Sequence, residues 1–151
     1  MRIDRVFTRG AIATHCSATL PEAAAAMSRF KVGALLVMDD ECDPPVPVGF
    51  VTDRDIALRG FASTDATVGS AMTPVVATVR EDAEAHEALE LMRAHGVRRL
   101  AVTNRDGDVC GIVSIDDVVD GLSADLAAAA AVLKGEIKRD AAGLGDVKVR
   151  R

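Results

Sequence analysis

The stretch Gly49-Phe50-Val51-Thr52-Asp53-Arg54-Asp55 has a second copy later in the chain, Gly111-Ile112-Val113-Ser114-Ile115-Asp116-Asp117. In both copies a glycine precedes two apolar residues, a hydroxyl residue follows them, and a carboxylate stands three positions after the hydroxyl. This order predicts a short strand that runs directly into the N-terminus of a helix. The chain is therefore expected to contain two related units.

Each copy of the motif carries the residues of a helix N-cap. Thr52 and Ser114 can accept a hydrogen bond from an amide that the first helical turn leaves unpaired. Asp55 and Asp117 then fall at the third helical position, near the positive end of the helix dipole. The motif therefore brings a hydroxyl, a carboxylate and backbone amides together at two corners of the fold.

The residues upstream of the motif repeat as well. Thr19-Leu20-Pro21-Glu22 predicts a capped helix, which Gly33 is expected to end. The apolar face of this helix returns 65 residues later, and the offset falls to 62 at the motif because the intervening loop is shorter in the second unit. The apolar positions are Leu20, Ala23, Ala24 and Met27 in the first unit and Ala85, Ala88, Leu89 and Met92 in the second.

These patterns predict an α/β (α+β) fold of two β-α-β-β-α repeats that pack on each other about a pseudo-twofold axis, with an added C-terminal helix. Repeat 1 is assigned to residues 1–65, repeat 2 to residues 66–122, and an alanine-rich helix with a frayed tail to residues 123–151. Residues 1–10 are expected to form a loosely held arm. Strands are predicted at about 11–14, 34–38, 48–51 and 75–78, a loop at 39–47, and helices at about 53–60 and 123–138.

The composition is typical of a soluble globular protein without a broad basic surface. With 18 Lys and Arg against 23 Asp and Glu, the net charge of −5 argues against nucleic acid as a partner. No apolar run approaches the ~20 residues of a membrane span or forms the core of a signal peptide, so no membrane partner and a cytoplasmic location are expected. The 3 widely spaced cysteines fit reduced thiols better than a disulfide framework.

The doubled pattern resembles a tandem pair of cystathionine-beta-synthase (CBS) domains, the Bateman module. The resemblance rests on both motif copies, on Met72-Thr73-Pro74 and on Gly96-Val97-Arg98-Arg99-Leu100-Ala101-Val102, and it covers about residues 6–122. It implies a regulatory module without chemistry or a catalytic cofactor of its own. The implied ligand is an adenosine-containing molecule such as AMP, ADP, ATP or S-adenosylmethionine, and the implied partners are a second copy of the chain and a separate regulated protein.

The resemblance further implies two ligand sites, each completed by strands of the other repeat. Asp55 and Asp117 are expected to accept hydrogen bonds from the ribose hydroxyls, because a carboxylate only accepts and a vicinal diol offers two donors. The first implied site comprises Thr52, Arg54, Asp55, Val76, Ala77, Arg98 and Arg99, and the second comprises Ser114, Asp117, Ile12, Ala13, Val32, Gly33 and Ala34.

The two implied sites differ in charge. The first is expected to hold three arginines, whereas Lys31 is the nearest candidate cation for the second. We therefore expect the first site to prefer a phosphorylated ligand, and the second to bind more weakly or to suit an uncharged adenosyl group. The sequence also departs from its own repeat at Phe7-Thr8-Arg9-Gly10, which stands where the second unit has Met72-Thr73-Pro74-Val75, so the first strand is expected to enter differently.

Two other interpretations stay open. The two capping pairs would stabilise the fold by about 1 kcal/mol each without any ligand, which fits a ligand-free structural or stress-associated homodimer. The dipeptide His15-Cys16 suggests, as the other interpretation, a thiol nucleophile or a metal site. Adjacent residues on a strand face opposite ways, however, and the sequence offers no second cluster of metal ligands. Neither catalysis nor metal binding is therefore expected.

Overall fold

Two four-stranded sheets carry the repeated units. The computed structural model describes residues 1–39, 41–43, 45–59, 65–74 and 77–141, the last six of these without their side chains. The first sheet has the order β2 (Ala13–His15), β3 (Ala34–Asp39), β4 (Val46–Thr52) and β5 (Thr73–Pro74). The second has the order β1 (Thr8–Arg9), β8 (Val109–Ser114), β7 (Arg99–Thr103) and β6 (Thr78–Arg80). The helices are α1 (Leu20–Phe30), α2 (Asp53–Arg59), α3 (Val68–Ala71), α4 (Ala85–His95) and α5 (Ile115–Ala141).

The predicted repeat is confirmed by the pairing within each sheet. β2 and β3 are parallel and joined through α1, and β6 and β7 are parallel and joined through α4. β3 with β4 and β7 with β8 form antiparallel hairpins. The mixed α/β fold of two similar units follows, with α1 and α4 offset by the 65 residues that the sequence shows.

The ends of the helices are fixed by local chemistry. Thr19 and Glu22 form the predicted capping box at the start of α1. The prediction that Gly33 ends this helix is wrong. Lys31 adopts the left-handed conformation, with φ of 54°, and its amide donates to the carbonyl of Met27. Gly96 takes the same role after α4.

Several predicted boundaries need correction. The first strand begins at Ala13 and β6 at Thr78, later than predicted, and Val75 and Val76 lie outside the described residues. The predicted loop 39–47 is too long, because β4 already begins at Val46. Pro47 is tolerated in this strand because it lies opposite Met38, next to a shift in register. The predicted helix 53–60 ends at Arg59, and Gly60 is outside the described residues.

The N-terminal segment is not a loose arm. Ile3 is fully buried and Phe7 is only 8% exposed, and both belong to the core of the second repeat. The backbone amide of Ile3 donates to the carbonyl of Ala83 at 2.9 Å. Ile3, Val6 and Phe7 stand at i, i+3 and i+4, and this apolar spacing was the signal in the sequence that the segment packs on the core.

Each sheet takes one edge strand from the other repeat. β1 belongs to repeat 1 in sequence but pairs with β8 of repeat 2, and β5 belongs to repeat 2 but pairs with β4 of repeat 1. The two pairings are equivalent, so the segment Thr8–Arg9 that leads into β2 pairs as Thr73–Pro74 does before β6, against expectation. The predicted division at residue 65 separates the two copies of the sequence repeat. Each sheet, however, contains strands from both sides of this division.

The motif glycines make this crossing possible. A Cβ on Gly49 would lie 2.5 Å from Met72 Sδ and 2.8 Å from the carbonyl oxygen of Thr73. A Cβ on Gly111 would lie 2.5 Å from Phe7 Cδ2. All three distances are far below van der Waals contact, so only glycine lets the crossing strand approach. The two sheets meet through a third apolar cluster of Leu36, Phe50 and Ala101.

Helix α5 is longer than predicted and continuous. The second motif helix and the alanine-rich helix 123–138 were predicted as separate elements, but one helix of 27 residues runs from Ile115 to Ala141. Among the α5 residues whose side chains are described, up to Gly135, the last buried one is Val118. Within the described residues, no helix is both long and apolar enough to cross a membrane.

We predict that Gly111→Ala destabilises the protein by about 1–3 kcal/mol, the usual cost of overpacking a core. The new methyl group would collide with Phe7 and force the crossing strand away. The matched control is Gly135→Ala in α5, where a Cβ meets nothing within 4 Å, and helix propensity should raise stability by about 0.5–1 kcal/mol. Urea unfolding of the three proteins measures both shifts. Equal stability of Gly111→Ala and the wild type would contradict the close crossing.

Candidate ligand-binding site

The first motif presents its carboxylate in a fixed position. Asp55 Oδ2 accepts hydrogen bonds from the Thr52 backbone amide at 2.9 Å and from Thr52 Oγ1 at 2.8 Å. In return the Asp55 amide donates to Thr52 Oγ1 at 3.2 Å. This reciprocal cap leaves Asp55 Oδ1 without a hydrogen bond from the described residues. The outer oxygen is therefore an acceptor held in place for another donor.

A cleft of about 220 Å³ opens beside this cap, between the two repeats. Of the residues predicted for the first site, Thr52, Asp55, Ala77, Arg98 and Arg99 line it. Arg54 does not line it, and Val76 is outside the described residues. The sequence prediction missed five further lining residues, which are Phe50, Thr73, Pro74, Gly96 and Val97.

The second motif is built in the same way. Asp117 Oδ2 accepts hydrogen bonds from the Ser114 amide at 2.8 Å and from Ser114 Oγ at 2.6 Å. The Asp117 amide donates to Ser114 Oγ at 3.2 Å. The two carboxylates are thus presented by identical capping boxes, as the pattern of the motif predicts.

A second cleft, of about 230 Å³, adjoins this cap. It brings together Ser114, Asp117, Ile12, Val32, Gly33 and Ala34, all predicted for the second site, whereas Ala13 does not line it. The lining residues that the prediction missed are Thr8, Gly10, Ala11 and Ile112, together with Arg99 from the first group. Thr8 corresponds to Thr73 of the first cleft by the 65-residue offset, which is the signal that could have identified both.

The cations are distributed unevenly between the clefts. Arg98 lines only the first, and its side chain is 74% exposed, with Nη2 at 3.4 Å from Asp116 Oδ1. Such an exposed pair contributes little and leaves the guanidinium available. Arg99 lines both clefts, because it begins β7 and pairs in register with Ser114. Lys31, the predicted cation of the second site, is not among the residues that line it.

Another cleft lies beside Cys16, just after the end of β2. It is lined by Cys16, Ser17, Asp39 and Glu41. Among the described residues, no group of three or more His, Cys, Asp or Glu side chains could hold a metal ion. Cys110 is partly buried, and desolvation raises the pKa of its thiol, which keeps it protonated. The two motif clefts are therefore the candidate site.

Comparison with known proteins agrees with this architecture. The CBS domain family model matches residues 3–59 and 68–124. The uncharacterized protein YlbB of Bacillus subtilis is 41% identical over 100 residues, which cover 64% of this chain and 66% of that protein, slightly less than two thirds of its length.

Solved structures show the same fold. A CBS domain protein of Pyrobaculum aerophilum, PAE2072, complexed with AMP, has a TM-score of 0.65 at 27% identity and covers 78% of this chain and 89% of its own. CBSX2 in complex with AMP has a TM-score of 0.62 at 26% identity and covers 80% and 95%. The two matches of the family model follow each other in tandem and together span most of the chain, so the protein belongs to the CBS domain family as a tandem pair.

Proposed function

We propose that this protein is a non-enzymatic regulatory module that binds an adenosine-containing ligand in the clefts between its repeats and acts on a separate protein. The observation that carries the proposal is the pair of capped carboxylates, each facing a cleft completed by the other repeat. AMP complexes of two structurally similar proteins support an adenine nucleotide as the ligand.

The capping geometry suits a ribose. One oxygen of Asp55 is occupied by the cap, and Asp55 lines the cleft, where its other oxygen could accept hydrogen bonds from the two vicinal hydroxyls. Phe50, Ala77 and Val97 supply apolar surface on the walls of the same cleft for a base. The ligand therefore meets a polar group that is already ordered, which lowers the entropy lost on binding.

The arginines favour a phosphate in the first cleft. Arg98 and Arg99 both line it, and a guanidinium binds phosphate oxygens through two parallel hydrogen bonds. The second cleft shares Arg99 and lacks Arg98. The first cleft should thus take AMP, ADP or ATP, whereas the second should bind more weakly or take an uncharged adenosyl group. Two phosphorylated ligands would compete for the single guanidinium of Arg99.

One observation favours a second candidate function. Both capping boxes are complete without any ligand, so Asp55 and Asp117 already stabilise the helices on their own. This is the arrangement expected of a ligand-free structural or stress-associated homodimeric module. Ligand-dependent stabilisation separates the two functions.

We predict that AMP, ADP or ATP raises the unfolding temperature of the purified protein. A ligand at 100 times its dissociation constant adds about 2.7 kcal/mol to the free energy of unfolding. A thermal-shift panel should include adenosine, S-adenosylmethionine and GMP as a control for the base. The absence of a shift with every adenosyl compound at millimolar concentration would contradict the nucleotide-binding function and favour the ligand-free module.

We predict that Asp55→Asn weakens AMP binding about tenfold or more, because the open acceptor oxygen becomes a donor amide while the other oxygen keeps the cap, and hydrogen bonds to a charged group are worth about 1.5–3 kcal/mol. The matched control is Asp117→Asn, which makes the same change in the other cleft and should affect AMP less. Isothermal titration calorimetry measures both affinities. Loss of AMP binding in Asp117→Asn alone would reverse the assignment of the two clefts.

We predict that Arg98→Ala weakens binding of AMP but not of adenosine, since this side chain lines the first ligand cleft and not the second, and its proposed role there is to bind phosphate. Arg99→Ala should weaken phosphorylated ligands in both clefts. Arg105→Ala, an exposed arginine in the β7–β8 turn and outside both clefts, is the control and should change neither. Titrations of each variant with AMP and with adenosine test this pattern. An equal loss for both ligands in Arg98→Ala would show that the arginine does not contact phosphate.

A further inference from the structure

Arg99 occupies a position at which the symmetry between the two repeats is broken. It begins β7, pairs with Ser114 and lines both clefts. Its counterpart at the 65-residue offset is Ala34, which begins β3, pairs with Thr52 and lines the second cleft but not the first. The equivalent places beside the two capping boxes therefore hold a cation in one repeat and a methyl group in the other.

The side chain of Arg99 is directed between the two sheets. Leu100 packs in the core of the second repeat, and Ala101 packs in the cluster where the sheets meet. Because neighbouring residues of a strand point to opposite faces, Arg99 lies on the same face as Ala101. It is partly buried, and within the described residues its guanidinium has no hydrogen bond or ion pair, whereas Arg98 pairs with Asp116 at 3.4 Å. The Arg99 guanidinium is therefore a cation that the described part of the chain leaves without an anion.

The two clefts offer unequal numbers of cations to a phosphate. Among the described residues, Arg98 and Arg99 are the cations that line the first cleft, and Arg99 is the cation that lines the second. A guanidinium binds one phosphate through two parallel hydrogen bonds, and its single positive charge does not neutralise two phosphates of about two negative charges each. A phosphate bound to Arg99 in the first cleft thus occupies the cation of the second cleft and adds negative charge near it.

We propose that Arg99 couples the two clefts negatively, so that a chain with a phosphorylated nucleotide in its first cleft favours an uncharged adenosyl ligand in its second. The inference rests on the proposed nucleotide-binding function, and it adds that the ligand in one cleft selects the ligand of the other. A nucleotide that lacks the Arg99 contact in the second cleft should bind there about tenfold or more weakly, the effect of losing one hydrogen bond to a charged group.

A titration with AMP followed by phosphorus nuclear magnetic resonance tests the coupling, since it records the phosphates bound in the two clefts as separate signals. The signal that Asp117→Asn weakens identifies the second cleft. Asp55→Asn delays filling of the first cleft and leaves Arg99 available. The second cleft of Asp55→Asn should therefore fill at a lower AMP concentration than in the wild type, by up to about tenfold. General damage to the protein would shift the curve in the opposite direction.

Two further variants serve as controls for this titration. Arg105→Ala, outside both clefts, should leave the two curves unchanged. In an Arg99→Met background, Asp55→Asn should shift the second-cleft curve much less than it does with Arg99 present. An unchanged second-cleft curve in Asp55→Asn, or an equal shift with and without Arg99, would overturn the proposal. A shift to higher AMP concentration would also overturn it, because Arg99 would then bridge both phosphates. If the wild type gave no bound AMP signal at all, the proposed nucleotide-binding function itself would fail.

An added cation in the first repeat tests the same proposal by gain of binding. Ala34→Arg gives the second cleft a guanidinium of its own, and AMP should then fill that cleft about tenfold or more tightly. Ala34→Met is the control for side-chain size and should not tighten AMP. Native mass spectrometry with equal AMP and adenosine should find one of each on the wild type and two AMP molecules on Ala34→Arg. A wild type that carries two AMP molecules under these conditions would contradict the proposal, whether or not Ala34→Arg folds.

Discussion

The exchange of edge strands between the repeats is the constraint on which the rest of the structure depends. β1 and β5 pair with their sheets over only two residues each, so their hydrogen bonds alone would hold them weakly. They are held because Phe7 and Ala71, which come just before β1 and β5 in sequence, are each buried in the core of the other repeat. The missing side chains at Gly49 and Gly111 let the strands approach. The crossing strands place Thr73 in the first cleft and Thr8 in the second. The strand pairing that completes each sheet therefore also completes a cleft.

The sequence predicted those parts of the fold that depend on local interactions. The capping boxes, the apolar helix faces and the 65-residue offset follow from residues close in sequence, and all three are present. The burial of Ile3 and the crossing of β1 depend on contacts with residues about 80 to 100 positions away, which no local pattern reports. The left-handed conformation of Lys31 was not predicted, because glycine is the residue most often found in that conformation after a helix and a lysine there gives no signal in the sequence.

The candidate site also has parts that the sequence predicted and parts that it did not. The resemblance to CBS pairs grouped Asp55 with Ala77 and Arg98, and Asp117 with Ile12 and Gly33, and the structure places these groups around two separate clefts. Their roles in ligand binding stay predictions. Arg54 was misplaced because consecutive helical residues differ in direction by about 100°, so it cannot share the cleft-facing direction of Asp55. Arg99 lines both clefts because it pairs with Ser114 in the β7–β8 hairpin. Matching of sequence motifs does not show this register.

Helix α5 joins the second cleft to an exposed surface beyond Gly121. It begins at Ile115, directly after the Ser114 cap, carries Asp117 in its first turn and continues without a break to Ala141. A ligand on Asp117 and a protein that contacts the exposed residues of α5 would therefore act on the same helix. Linkage is reciprocal, so any free energy by which the ligand favours that contact must return as tighter ligand binding when the contact forms. The continuity of α5 thus provides a physical route by which occupancy of a cleft could reach a surface that meets another protein.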